Sequence, residues 1–188
     1  RNAVLFVASA CENLTSKGLI GVTGVRTFPL GGYTVARDRV SGKECLLVLD
    51  HGPLGYLGIA AHGHADALAI WAHFDGQPVL VDAGTYLYHS GAMWREHFRG
   101  TSAHSTLLLA DSDQSIQSGE FNWSSKANAR LVSARDNIET FRVAAKHDGY
   151  LKRFGIVHVR SITRKGSGQY AVEDLLLSHR PITIDAEI

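Results

Sequence analysis

Seven of the ten histidines lie between His51 and His104, a local concentration of imidazole that points to metal binding or proton transfer. The sharpest spacing is Ala61-His62-Gly63-His64-Ala65-Asp66, where two imidazoles two residues apart project from one face if the chain is extended. Such a pair is half of a metal site, because zinc takes three or four protein ligands. Two more candidates follow: Asp82, which closes the apolar run Val79-Leu80-Val81, and His104, set between Ala103 and Ser105. A carboxylate at the end of a buried strand needs a partner. The plain alternative is that Asp82 caps a turn with Gly84 while the histidines satisfy local hydrogen bonds.

The elements that must hold these residues read as strands separated by turns containing Gly, Asp and Ser. The spacing predicts strands over Tyr33 to Arg37, Glu44 to Asp50, Leu57 to Ala61, Ala67 to Phe74, Val79 to Asp82, Ser105 to Ala110, Ala127 to Ser133, Glu139 to Lys146, Phe154 to Arg164 and Gln169 to Leu177. Ala3 to Ala8 is a further apolar run that a neighbouring strand could accept. Asp75-Gly76 and Gly166-Ser167-Gly168 supply the left-handed positions of tight hairpins. Only Ala65 to His73 competes as a helix. Antiparallel strands in this number close their apolar faces as a sandwich or barrel, so the fold class is all-β, with little helix. A strict two-residue hairpin at Asp75-Gly76 pairs Phe74 with Gln77 and sets Asp82 opposite Ala69. That leaves Asp82 roughly 17 Å along the strand from His64. A site uniting His64 and Asp82 therefore requires a bulge, a longer loop, or a chain that bends back before Asp66.

Composition excludes several classes. The 188 residues are 45% hydrophobic and 20% charged, the balance of a folded globular chain. Nineteen Lys and Arg against eighteen Asp and Glu leave a net charge of +1, with no basic block to suggest nucleic acid. No apolar run approaches the roughly 20 residues of a membrane-spanning helix. Cys11 and Cys45 neither require nor exclude a disulfide. The start at Arg1 and the alternating stretch Ile182-Thr183-Ile184-Asp185 near the end are expected of a piece cut from a longer chain, with a partner strand lost.

Taken in order, His62-Gly-His-Ala-Asp66, Asp75-Gly-Gln-Pro-Val-Leu-Val-Asp82-Ala-Gly-Thr-Tyr86 and Trp94-Arg-Glu-His-Phe-Arg99-Gly-Thr-Ser-Ala-His104-Ser-Thr resemble the C-terminal β-domain of the heparinase II/III family of polysaccharide lyases. The similarity is dense from His51 to Trp123. It continues more thinly through His147-Asp-Gly-Tyr150, His158-Val-Arg160 and Asp174. The resemblance implies an antiparallel β-sandwich of the super-sandwich type over residues 1–188, truncated at both ends and lacking the N-terminal α/α-toroid that supplies the rest of the cleft. It also implies Zn2+ bound by His64, Asp82 and His104, shaping the loop that presents His62 as the catalytic residue. Tyr86, Tyr88, Trp94, Arg95 and Arg99 are the substrate-binding candidates, as stacking surfaces and carboxylate clamps; ordinary packing is the alternative for each.

The implied reaction is β-elimination on a uronic-acid-containing glycan. The uronate charge is offset, the C5 proton is removed and the 4-linked oxygen leaves. The expected partners are an acidic polysaccharide (heparin-like, alginate or exopolysaccharide) and the helical domain of the same chain. The expected place is the periplasm or the outside of a bacterium, and the fragment alone is expected to be inactive. Two other readings compete: a cupin-like metal oxygenase, which also uses H-x-H on a β-scaffold, and a non-catalytic carbohydrate-binding sandwich stacking Trp71, Trp94 and Trp123 on sugars.

Overall fold

The computed structural model describes residues 4–8, 23–56, 58–166 and 168–188; Cys11, Leu57 and Ser167 lie outside them. In chain order the strands are β1 (Val4–Ala8), β2 (Gly24–Phe28), β3 (Tyr33–Val40), β4 (Lys43–Asp50), β5 (Ile70–Phe74), β6 (Gln77–Leu80), β7 (Leu108–Leu109), β8 (Ile116–Gln117), β9 (Trp123–Ser125), β10 (Ala129–Arg135), β11 (Arg142–His147), β12 (Ile156–Gly166), β13 (Gln169–Ser178) and β14 (Ala186–Glu187). Two five-stranded antiparallel sheets, ordered β2-β3-β4-β5-β6 and β1-β13-β12-β11-β10, carry the architecture. Their facing residues, among them Ala36, Leu47, Leu49 and Ile70 from one sheet and Val143, Ala145, Ile162 and Tyr170 from the other, form one apolar core. The expected antiparallel β-sandwich is the fold.

Both hairpin turns close as their residues require. Asp75 and Gly76 have φ of 50° and 76°, and Phe74 pairs with Gln77. Gly166 pairs with Gln169 across the second turn.

Other expectations shift. The segment expected as a strand from Leu57 to Ala61 runs as turns at residues 58–61, and β2 was not anticipated. From Ser105 to Ala110 only Leu108–Leu109 is strand, and Glu139 lies in a 3-10 turn, Ile138–Thr140, before β11 begins. Residues 65–69 are neither strand nor helix, and β5 begins only at Ile70. The chain end does not dangle: Ala186 and Glu187 pair with Leu109 and Leu108.

Sequence periodicity also missed the helix α1 (Ala92–Arg99). Its buried positions are Arg95 and Arg99, four residues apart on one face. A helix whose inward stripe is guanidinium offers no apolar period to detect.

Candidate metal centre and the exposed histidine beside it

His64, Asp66, Asp82 and His104 each offer a ligand atom, and these atoms lie within 4.8 Å of one another. Asp82 is brought there by two departures from a regular hairpin. His73 pairs with Pro78 but Ala72 pairs with Leu80, so Val79 is an extra residue and the strand bulges before ending. On the other side the chain bends away below Ile70. Ala69 N donates to Asp66 O (2.8 Å) and Leu68 N donates to Asp50 O (3.0 Å). The carbonyls of this bend are taken up by neighbours. Thr101 Oγ1 donates to Ala65 O (2.8 Å), and Thr106 Oγ1 (2.7 Å) and Gln114 Nε2 (3.1 Å) donate to Ala67 O. Asp66 was not singled out by spacing. Its sign was a carboxylate two residues past the H-x-H pair.

His104 Nδ1 and Asp82 Oδ2 are 2.7 Å apart, and the His104 side chain is fully buried. The turn-capping alternative for Asp82 is realised as well, since Gly84 N donates to its other oxygen at 2.8 Å. His104 Nε2 is buried with no hydrogen bond of good geometry among the described residues, and leaving such an atom unpaired costs about 1 to 3 kcal/mol unless a ligand takes its lone pair or proton.

The electrostatics point the same way. Burial and the neighbouring His104 push His64 down to about 4, so it stands neutral, as a metal ligand must. Burial pushes Asp66 up to about 6, and burial together with Asp66 pushes Asp50 up to about 7. Burial opposes charge on His104, but the hydrogen bond to Asp82 and the charges of Asp66 and Asp82 outweigh it and raise the ring. Crowded carboxylates, a neutral imidazole and an orphaned ring nitrogen fit a divalent cation. Two imidazoles and two carboxylates are donor types that zinc takes.

His62 is exposed whereas His64 is half-buried. The H-x-H segment is not extended: Gly63 N closes a turn on Ala60 O (3.0 Å), and the two imidazoles diverge instead of sharing a face. The His62 ring stands edge-on to Tyr88 (5.1 Å) and Phe121 (6.0 Å). Tyr86, Tyr88 and Trp94 are each more than half exposed. Tyr86 stacks on Phe98 at 5.8 Å, with Trp94 tilted against the same ring at 6.2 Å.

Arg95 and Arg99, expected to meet substrate, lie under this surface with at most 1% exposure. Arg95 donates to Glu120 O twice (3.1 and 2.7 Å), to Thr85 Oγ1 (2.9 Å) and to Leu87 O (3.0 Å). Arg99 donates to Glu120 O (2.7 Å) and Gly119 O (3.1 Å). The two guanidiniums clasp the loops on which Tyr86, Tyr88 and Phe121 sit. The three tryptophans form no common platform either. Trp123 is in the interior, with Nε1 donating to Ala60 O (3.0 Å), and half-buried Trp71 stacks on Tyr33 at 5.9 Å.

The family described as heparinase II/III-like, C-terminal, matches residues 21–187. No curated protein matches the chain. The fold is similar to that of part of heparan sulfate lyase HepC from Pedobacter heparinus, with a TM-score of 0.65 and 19% identity over 86% of this chain and 23% of that one. A heparinase III with methylated lysines matches at a TM-score of 0.64 and 20% identity over 85% of this chain and 22% of its own. Another heparinase III structure gives a TM-score of 0.59 and 22% identity, over 79% and 22%. The chain thus spans less than a quarter of the length of these solved chains.

Proposed function

We propose, from the premise that the chain belongs to the heparinase II/III-like, C-terminal family, that it supplies the β-sandwich side of a polysaccharide lyase cleft acting on uronic-acid-containing glycans. The observation that carries this reading is the exposed His62, two residues before the first member of a four-donor His/Asp cluster and flanked by Tyr88 and Phe121. His64, Asp66, Asp82 and His104 would hold zinc, which when bound supplies a fixed positive charge and a restraint on the loops. His62 then meets the sugar, offsetting the uronate charge or accepting the C5 proton. Leaving-group protonation and the remaining base or neutralising group come from the helical part of a longer polypeptide. Tyr86, Tyr88 and Trp94 present the apolar faces of their rings to sugar faces. Heparin-like chains, alginate and exopolysaccharide fit this chemistry equally, and such polymers are met in the periplasm or outside the cell.

Turnover is read from the ultraviolet absorbance of the new unsaturated uronate, on heparan-type, alginate and exopolysaccharide substrates. The 188-residue chain alone should give little. A polypeptide of the full length of the matched chains should be active, and His62→Ala in it should lower kcat by about 100- to 10,000-fold with zinc content unchanged. Wild-type turnover by His62→Ala would remove His62 from the chemistry. Glycan retention without unsaturated product in the long wild-type chain would favour simple binding.

A further inference from the structure

The second sheet carries a line of buried polar residues that the proposed chemistry does not use. Inward positions that are apolar at Val143, Ala145 and Ile162 become polar at His147, His158, Arg160 and Asp174, each at most 3% exposed. Register brings them together, since His147 pairs with His158 and Arg160 with Asp174 across neighbouring strands. Gly149 N donates to His147 Nδ1 (3.1 Å), so His147 holds its proton on Nε2 and donates it to His158 Nδ1 (3.0 Å). His158 Nε2 then donates to Asp174 Oδ1 (2.7 Å). Arg160 closes the line with a two-pronged bond to Asp174, Nε to Oδ1 (2.7 Å) and Nη2 to Oδ2 (2.8 Å).

One arm of Arg160 remains, and it crosses the sandwich. Nη1 donates to Leu68 O (2.9 Å) and Ser105 O (2.8 Å). Leu68 is two residues after Asp66, and Ser105 directly follows His104. Leu68 also has φ of 63°, a left-handed conformation that a bulky side chain adopts only when its surroundings enforce it.

We infer that Arg160, aligned by Asp174 and backed by His158 and His147, is a positioning residue that locks the two loops carrying the metal ligands into one geometry. A guanidinium suits the task because its planar fork serves a carboxylate on one side and two carbonyls on the other. Lysine retains the charge but has no such fork.

The inference rests on the metal-site reading for its effect on affinity, and a second readout is independent of metal. In metal-free 188-residue protein, Arg160→Lys should accelerate hydrogen exchange about tenfold or more at the amides of Leu68, Ala69, Ile70 and Thr106, while Leu47 and Leu49 in β4 stay as in wild type. In zinc competition titrations the same variant should bind about 10- to 100-fold more weakly, with a changed visible spectrum when cobalt replaces zinc. If Arg160→Lys fails to fold, Asp174→Asn, which keeps the shape but removes the aligning charge, is read at the same amides, where the acceleration should exceed that at Leu47 and Leu49 by about tenfold or more. Exchange that is unchanged at those four amides, or accelerated equally in β4, overturns the inference. A wild-type chain that binds no metal defeats the metal reading instead, and the exchange result still decides the clamp.

Discussion

Asp174→Ala should cost about 3 to 5 kcal/mol of folding stability, the range expected when one member of a buried charge pair is removed. The carboxylate accepts from His158 Nε2 and from two nitrogens of Arg160, and among the described residues no other carboxylate pairs with the guanidinium. Burial alone would raise the Asp174 carboxyl, but the His158 and Arg160 hydrogen bonds and the Arg160 charge hold it well below the usual carboxylate range. The variant leaves an arginine with 1% exposure and no counter-charge. Urea denaturation above pH 7 measures the loss, and a cost under about 1 kcal/mol would show that the interior there is wetter than the structure has it. The same network sets a pH dependence. Burial holds His147 well below 6.5 and lowers His158 also. Below about pH 6.5 the unfolded chain therefore takes up protons that the folded chain refuses, and stability falls as the pH drops. Asp174 adds a further loss only below its unfolded value near 4. His104, raised by Asp82, contributes the opposite way: its share is full below about 6.5 and is lost as the pH rises through its folded value. Asp50 and Asp66, raised by burial, act in the same direction as His104, so the fall with pH belongs to the His147 and His158 network and not to the whole chain.

His104→Ala should weaken zinc binding by more than about 100-fold, beyond the range typical of losing a supporting contact. It removes the orphaned Nε2 and also leaves Asp82 without its 2.7 Å partner. Asp66→Asn distinguishes two arrangements of the same four residues. As a direct ligand its loss should approach that of His104; as a support it should cost about 10- to 100-fold. Competition titration against a chromophoric chelator reads both, and wild-type affinity in His104→Ala would remove it from the site.

The strands and the two tight hairpins were legible because alternation and left-handed turn residues are local properties. The site was legible only through its motif strings, since regular hairpin register kept His64 and Asp82 apart. What unites them is the bulged Val79 and the bend from Ala65 to Ala69, which depend on hydrogen bonds to Thr101, Thr106, Gln114 and Asp50. Those partners are distant in sequence, and no local pattern announces them. Arg95 and Arg99 show the same limit in reverse. Their exposed-looking chemistry suggested substrate clamps, yet the carbonyls of Gly119 and Glu120 take them inward. The tie of Glu120 to α1 could not be read from spacing because it joins a loop to a helix with no apolar stripe.

The most direct test of the account is zinc stoichiometry and X-ray absorption on the 188-residue protein prepared without chelator. One zinc per chain is expected, with two imidazoles at about 2.0 to 2.1 Å, carboxylate oxygen in the remaining positions and no sulfur. Absence of stoichiometric metal, or a zinc spectrum unchanged when His64 and His104 are both replaced by alanine, would contradict it.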